Sequence, residues 1–237
     1  MRAEITGPGG TSDAPEVAVA ATVVIARDTT AGPEVLMIER PDRGSFAGAW
    51  VFPGGKIEPG DAGGSEGERA RSAGVRETQE ETGLILAPGA LQPLSRWMPP
   101  ASVALRIRTW FFVTSDPGGE LVLAADEAVR AAWLRPSDAL DRHGRGELTL
   151  YPPTWVTLHD LAEQGEVADI VAAARLAGVR AFETATRTVA DGTLLLWHGD
   201  DDYDEAPAPS TPASTTPAAP ARHRLDLSAL PWVYTRS

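Results

Sequence analysis

The stretch from Ser65 to Gly83 has both ends of a helix written into it, and it constrains the fold more than any other part of the chain. Ser65 and Glu68 have the spacing of a capping box, and Gly83 follows the last turn as a stop, so a helix is predicted over 65–82. Within it Glu77, Glu80 and Glu81 stand at i, i+3 and i+4, which puts three carboxylates on one face about 5–6 Å apart at Cβ. Acids in a last turn also oppose the helix dipole. Such a face is either left to solvent or compensated by a cation. Just upstream, Phe52-Pro53-Gly54-Gly55 reads as a strand ending in glycines, whose backbone can approach those carboxylates closely.

Strand signals surround this helix. Val17 to Ala26 is rich in β-branched residues and is predicted as a buried strand, with Glu34 to Glu39 as its partner across a Gly-Pro turn and Trp50-Val51-Phe52 as a short third strand. Arg108 to Thr114 and Val129 to Leu134 read as further strands, and Pro136-Ser137-Asp138 should open a short helix. Helical patterns follow over 154–164 and 167–176, and strand character returns at Thr193 to Trp197.

Residues 206–221 are nearly all Ala, Pro, Ser and Thr, a composition that buries too little surface to offset its ordering entropy, so a mobile excursion is expected. Arg224 to Tyr234 is apolar again and should pack back beside Thr193 to Trp197. The expected organisation is a flexible N-terminus over 1–15, a principal domain over 16–165 and a C-terminal extension over 166–237.

Composition excludes several classes. With 237 residues and 43% hydrophobic content the chain can bury a sizeable core. Its formal net charge of -12 argues against nucleic acid or an acidic membrane as the main partner. A small phosphorylated molecule is still admitted, because a bound dication reverses the local field. The absence of cysteine rules out thiolate metal sites and cysteine nucleophiles. No apolar h-region follows Met1, and the stretch 17–26 is short of the about 20 residues that cross a bilayer, so a cytoplasmic protein is expected. A homodimer is left open.

The helix and its lead-in together resemble the Nudix hydrolase family, whose signature is G-x5-E-x7-R-E-U-x-E-E-x-G-U with U apolar. Gly55 matches the opening glycine, and Arg76-Glu77, Glu80-Glu81, Gly83 and Leu84 match the second half in register. Between Asp61 and Arg76 lie fourteen residues where the signature has seven. The first glutamate of the signature therefore falls on Asp61 counted forward, or on Glu68 counted backward. Thr78 takes a normally apolar position.

The resemblance implies a mixed β-sheet sandwiched between helices, an α/β/α arrangement of the α+β class, with a C-terminal helical and strand extension beyond it. It also implies Mg²⁺ or Mn²⁺ bound by Glu77, Glu80 and Glu81 with the Gly55 carbonyl, an Arg76 that orients a neighbouring carboxylate, and hydrolysis of a diphosphate linkage. Hard oxygen donors suit these ions rather than zinc. Glu127, in the loop before the strand at Val129, sits where a family general base often falls.

Substrate choice lies outside this box. The lead-in from Leu36 to Gly55 resembles coenzyme A diphosphatases, especially the peroxisomal type with an insertion in its box, and coenzyme A or its thioesters is the expected substrate. Arg40 and Arg43 are candidate phosphate donors, and Phe46, Trp50 and Trp110 candidate base-stacking rings. Alternatives are ADP-ribose, NADH or a nucleoside triphosphate, or a binding module without catalysis. Asp200, Asp201, Asp202, Asp204 and Glu205 lack a calcium-loop pattern and are expected to be a solvated loop. His143, His159, His198 and His223 show no metal spacing.

Overall fold

The computed structural model describes residues 17–44, 46–124, 126–203 and 219–237. The expected frayed N-terminus over 1–15 lies outside the described residues, as does nearly all of the expected excursion over 206–221. Chain order gives β1 (Ala18–Thr29), β2 (Gly32–Glu39), β3 (Trp50–Val51), β4 (Gly54–Lys56), α1 (Glu66–Thr82), β5 (Gln92–Met98), β6 (Ile107–Ser115) and β7 (Arg130–Leu134). There follow α2 (Pro136–Gly144), α3 (Pro152–Leu161), α4 (Val167–Ala177), β8 (Arg180–Glu183), β9 (Ala185–Val189), β10 (Gly192–Leu196), β11 (His223–Asp226) and β12 (Val233–Arg236).

The principal sheet is mixed and runs β3-β2-β1-β6-β5-β8, with β4 also on β1 and β7 also on β2. β1 pairs parallel with β6 and antiparallel with β2, and β5 pairs parallel with β8. Strand β1 is apolar on both sides because both faces of the sheet are covered. Its Ala21, Val23 and Ile25 pack with Ala70 and Ala73 of α1, while Val24 and Ala26 face a second cluster holding Val156 and Leu158 of α3 and Ile170 and Ala174 of α4. This is the expected α/β/α sandwich.

Helix α1 has the predicted ends. The Ser65 side chain accepts from the Glu68 N–H, the Glu68 carboxylate accepts in return from Ser65 N–H, and Gly83 stops the helix at φ 74°. Helix α3 starts two residues before its predicted position, since Pro152 and Pro153 lack N–H groups that a first turn leaves unbonded anyway.

The segment beyond residue 165 is continuous with this core. Phe182 of β8 stacks on Trp97 of β5 with ring centroids 3.8 Å apart, and Trp197 meets Trp97 edge-on at 5.7 Å. A second, antiparallel sheet, β12-β11-β10-β9, closes the structure. In it Leu195 pairs with Leu225, which puts the Arg224 segment beside Thr193 to Trp197 as expected.

Asp200 corrects the reading of the acid cluster as a solvated loop. It is buried, and Arg224 grips it with Nε at 2.7 Å from Oδ2 and Nη2 on Oδ1, while the His223 N–H donates to Oδ2 at 2.9 Å. Asp202 accepts from the same arginine at 2.7 Å. Arg224, which neutralises both acids, stands more than twenty positions later in the chain. Asp204 and Glu205 lie outside the described residues.

Candidate active site

The glycine turn and α1 meet where β4 joins β1. The register Ala21 to Gly55 and Thr22 to Gly54 fixes the turn on the sheet, and α1 lies across it. Gly54 N–H donates to Glu81 Oε2 at 2.7 Å, and Arg40 Nη1 donates to Glu81 Oε1 at 2.8 Å. The approach at Gly55 is so close that a Cβ there would lie 2.2 Å from the carboxyl carbon of Glu77, so any other residue would displace that carboxylate.

Three carboxylates converge. Glu77, Glu81 and Glu127 each offer an oxygen, and these lie within 4.8 Å of one another. Glu81 is 1% exposed; burial pushes its carboxyl up to about 7, Gly54 N–H and Arg40 oppose that, and the charges of Glu77 and Glu127 add to it. Burial likewise raises the Glu77 carboxyl, against the pull of Arg76 and with further repulsion from Glu80 and Glu127. One buried and two partly buried carboxylates at this spacing, with a glycine backbone pressed against them, fit an oxygen-liganded dication.

Glu80, expected beside Glu77 and Glu81, is not in this trio. It is half exposed and accepts from Arg76 Nη1 at 2.9 Å. Arg76 is the hub of the site: the same Nη1 donates to Glu77 Oε1 at 2.9 Å, and Nη2 donates to the Lys56 carbonyl at 3.0 Å. Its Nε and Nη2 reach Asp61 Oδ1 and Oδ2, both at 3.1 Å. Counting forward from Gly55 therefore finds the residue that meets the arginine, whereas Glu68 belongs to the helix cap. Thr78 is fully buried and its hydroxyl has no partner, as fits a position that is normally apolar.

The remaining candidates separate. Arg40 reaches the trio through Glu81, and Arg43 donates to the Asp126 carbonyl at 3.1 Å, next to Glu127. Phe46 is exposed on the same loop. Trp50 does not present a free face for a base: it is 3% exposed in the core, with the Arg130 guanidinium 5.3 Å from its ring centroid. Trp110 donates to Glu66 at 2.8 Å and packs on Phe112, on the order of 20 Å along α1 from Glu80. Sequence reading did not single out the Gly54 N–H as a donor to Glu81, although the paired glycines at the end of a strand were the signal for it.

Comparison with known proteins agrees with this geometry. Residues 16–152 match the family described as NUDIX domain. Over 107 residues the chain is 30% identical to a CTP pyrophosphohydrolase of Escherichia coli (strain K12), covering 45% of this chain and 70% of that protein. The fold is similar to that of a NUDIX hydrolase from Alicyclobacillus acidocaldarius, with a TM-score of 0.62 and 24% identity over 66% of this chain and 96% of that one. It is also similar to the NUDIX domain of Shewanella oneidensis NrtR, solved with ADP ribose, with a TM-score of 0.50 and 14% identity over 63% and 89% of the two chains. At those identities the two structures speak to the fold alone. Among the described residues no helix is long and apolar enough to cross a membrane. With the match spanning the glycine turn, Arg76 and the glutamates of α1, the chain belongs to the NUDIX family and is a hydrolase of the pyrophosphohydrolase type.

Proposed function

We propose that this enzyme uses Mg²⁺, or Mn²⁺ in its place, to hydrolyse the diphosphate linkage of a nucleoside diphosphate derivative. The observation that carries the reading is the convergence of Glu77, Glu81 and Glu127 within 4.8 Å beside the Gly54-Gly55 turn. Glu77 and Glu81 with the Gly55 carbonyl would hold the ion, with Glu80 completing the acidic face on its solvent side and Glu127 standing beside it. Bound there, the ion would neutralise charge building on phosphate oxygens and acidify a water for in-line attack.

The protein's own groups do the rest. Arg76 holds Glu77 and Glu80 in fixed orientations while anchored to Asp61 and the Lys56 carbonyl. Gly54 N–H fixes one oxygen of Glu81 and leaves the other towards Arg40. Arg40 and Arg43 supply donors to the phosphates, and Glu127, carried on a loop, accepts the proton of the attacking water. No covalent intermediate is required.

Coenzyme A or an acyl thioester is proposed as substrate from the resemblance of the 36–55 segment. The 30% identity to a CTP pyrophosphohydrolase favours a nucleoside triphosphate as the second reading. Product analysis separates them, since coenzyme A yields adenosine bisphosphate and phosphopantetheine whereas CTP yields CMP and pyrophosphate. A panel of diphosphate compounds turned over with Mg²⁺ by the wild type and by Glu81→Gln tests the mechanism, and turnover that survives the substitution removes it.

A further inference from the structure

The loop joining β2 to β3 turns through left-handed backbone at three described positions, Gly44 at φ 74°, Phe46 at φ 64° and Gly48 at φ 65°. Glycine adopts this conformation without cost, and a bulky aromatic residue does not. Phe46 is the one non-glycine residue with positive φ among those described, and its ring is 43% exposed. Burial in the core therefore does not account for the ring. Strain of this kind, held in place by surrounding structure, marks ligand clamps and similar sites.

The surroundings hold it firmly. Arg40 N–H donates to the Ala49 carbonyl at 2.9 Å, Gly48 N–H to the Pro41 carbonyl at 3.3 Å, and Ala49 N–H to the Phe46 carbonyl at 3.0 Å. Ala49 bridges to Thr149, and Trp50 N–H donates to the Thr149 carbonyl at 2.9 Å, which ties the loop to the segment carrying Tyr151. Tyr151 stands immediately before Pro152 at the start of α3 and is itself 39% exposed. The Phe46 and Tyr151 rings meet edge to face, centroids 4.7 Å apart and planes at 86°. In such a pair each ring keeps a face uncovered by the other. The same loop begins at Arg40 on Glu81 and passes Arg43, which is bonded beside Glu127.

We infer that Phe46 and Tyr151 form the subsite that binds the nucleobase of the substrate, with Arg40 and Arg43 spanning from it to the carboxylates. This rests on the diphosphate hydrolase reading and adds to it the part of the substrate that is recognised away from the cleaved bond. Every base offers a π-face, so the pair selects for a nucleoside moiety and leaves the choice among bases to other contacts. Tyr151 is a residue that neither the box nor its lead-in singles out.

The experiment is calorimetric binding of AMP and of CMP, with ribose 5-phosphate as the base-free reference, to the wild type and to Phe46→Gly, Tyr151→Ala and Tyr151→Phe. The expected result is that at least one nucleotide binds the wild type about tenfold or more tighter than ribose 5-phosphate. Phe46→Gly and Tyr151→Ala should remove that difference, Tyr151→Phe should keep it, and ribose 5-phosphate affinity should not move. Phe46→Gly should at the same time leave the melting temperature unchanged or raised, because it relieves the left-handed backbone, a result that a merely structural phenylalanine would not give. Equal affinities in the wild type, no binding of either nucleotide, or a difference that survives both ring removals would overturn the inference. Binding of monophosphates is read without turnover, so failure here is distinct from failure of the wild type to hydrolyse any diphosphate.

Discussion

Arg76 and Asp61 form a two-pronged ion pair, 3.1 Å on each prong, that closes the long insertion between them and anchors the arginine which also holds Glu77 and Glu80. Burial raises the Asp61 carboxyl, and the bonds from Arg76 and the Glu58 N–H outweigh it, so the group is held below the usual carboxylate range. Asp61→Ala should therefore lower kcat about tenfold or more with a smaller effect on KM, since a group that orients ligands is lost while the substrate contacts stay. Urea unfolding should show a stability loss of about 1–3 kcal/mol for a largely buried arginine left without its main partner. Unchanged kcat in a folded Asp61→Ala protein would separate the pair from the chemistry.

Gly55→Ala tests the close approach of backbone to carboxylate. The added methyl would lie 2.2 Å from the Glu77 carboxyl carbon, so Glu77 has to move. Mg²⁺ affinity, followed by titration calorimetry, should fall about tenfold or more in a protein whose far-ultraviolet dichroism is preserved.

Mg²⁺ should stabilise the native state, because it binds carboxylates that repel one another only when folded. At a hundredfold excess over its dissociation constant the gain is about 2.7 kcal/mol, or a melting temperature higher by about 5–10 °C. Glu81→Gln should raise the melting temperature of the metal-free protein and flatten its response to Mg²⁺. Glu80→Gln should change both far less, given its half-exposed position outside the trio.

Asp200 predicts an acid limb of stability that is independent of the catalytic site. Burial pushes its carboxyl up, but the hydrogen bonds from Arg224, His223 N–H and Asp202 N–H outweigh this and hold it at about 2, against an ordinary value of 3.8. Because the folded value is the lower one, its contribution is complete above pH 3.8 and fades as pH falls towards 2. The stake is on the order of 2 kcal/mol. Asp200→Asn should cost stability at pH 7 and show a shallower loss over that acid window in denaturant titrations. Parallel curves for the two proteins would contradict the assignment.

Much of the site was legible because its determinants are local in sequence. The cap of α1, its acidic face, the glycine turn and the carboxylates at fixed helical spacing all follow from residues a few positions apart. Glu127 was found by its place in a loop, and the structure brings it to Glu77 and Glu81. Strand β5 was not found, because its register against β6 shifts between Pro93 and Ser95 and only Ser95 and Trp97 are buried along it. Strands β8 and β9 are four and five residues long, too short for a periodic signal, and exist through their partners β5 and β10. Trp50 was a candidate for stacking because sequence shows an aromatic residue near the box but not which way the chain turns it. Asp200 read as solvated because Arg224, which neutralises it, is far along the chain.

Trp97 is sandwiched between strands that the family match covers and strands that lie after it, with Phe182 flat against its ring and Trp197 against its edge. A gene trimmed at residue 152 would therefore yield a polypeptide with its largest aromatic surfaces laid bare, one destined for inclusion bodies rather than for assay. Expression work on this enzyme has to carry the later strands along, even though no catalytic carboxylate resides in them.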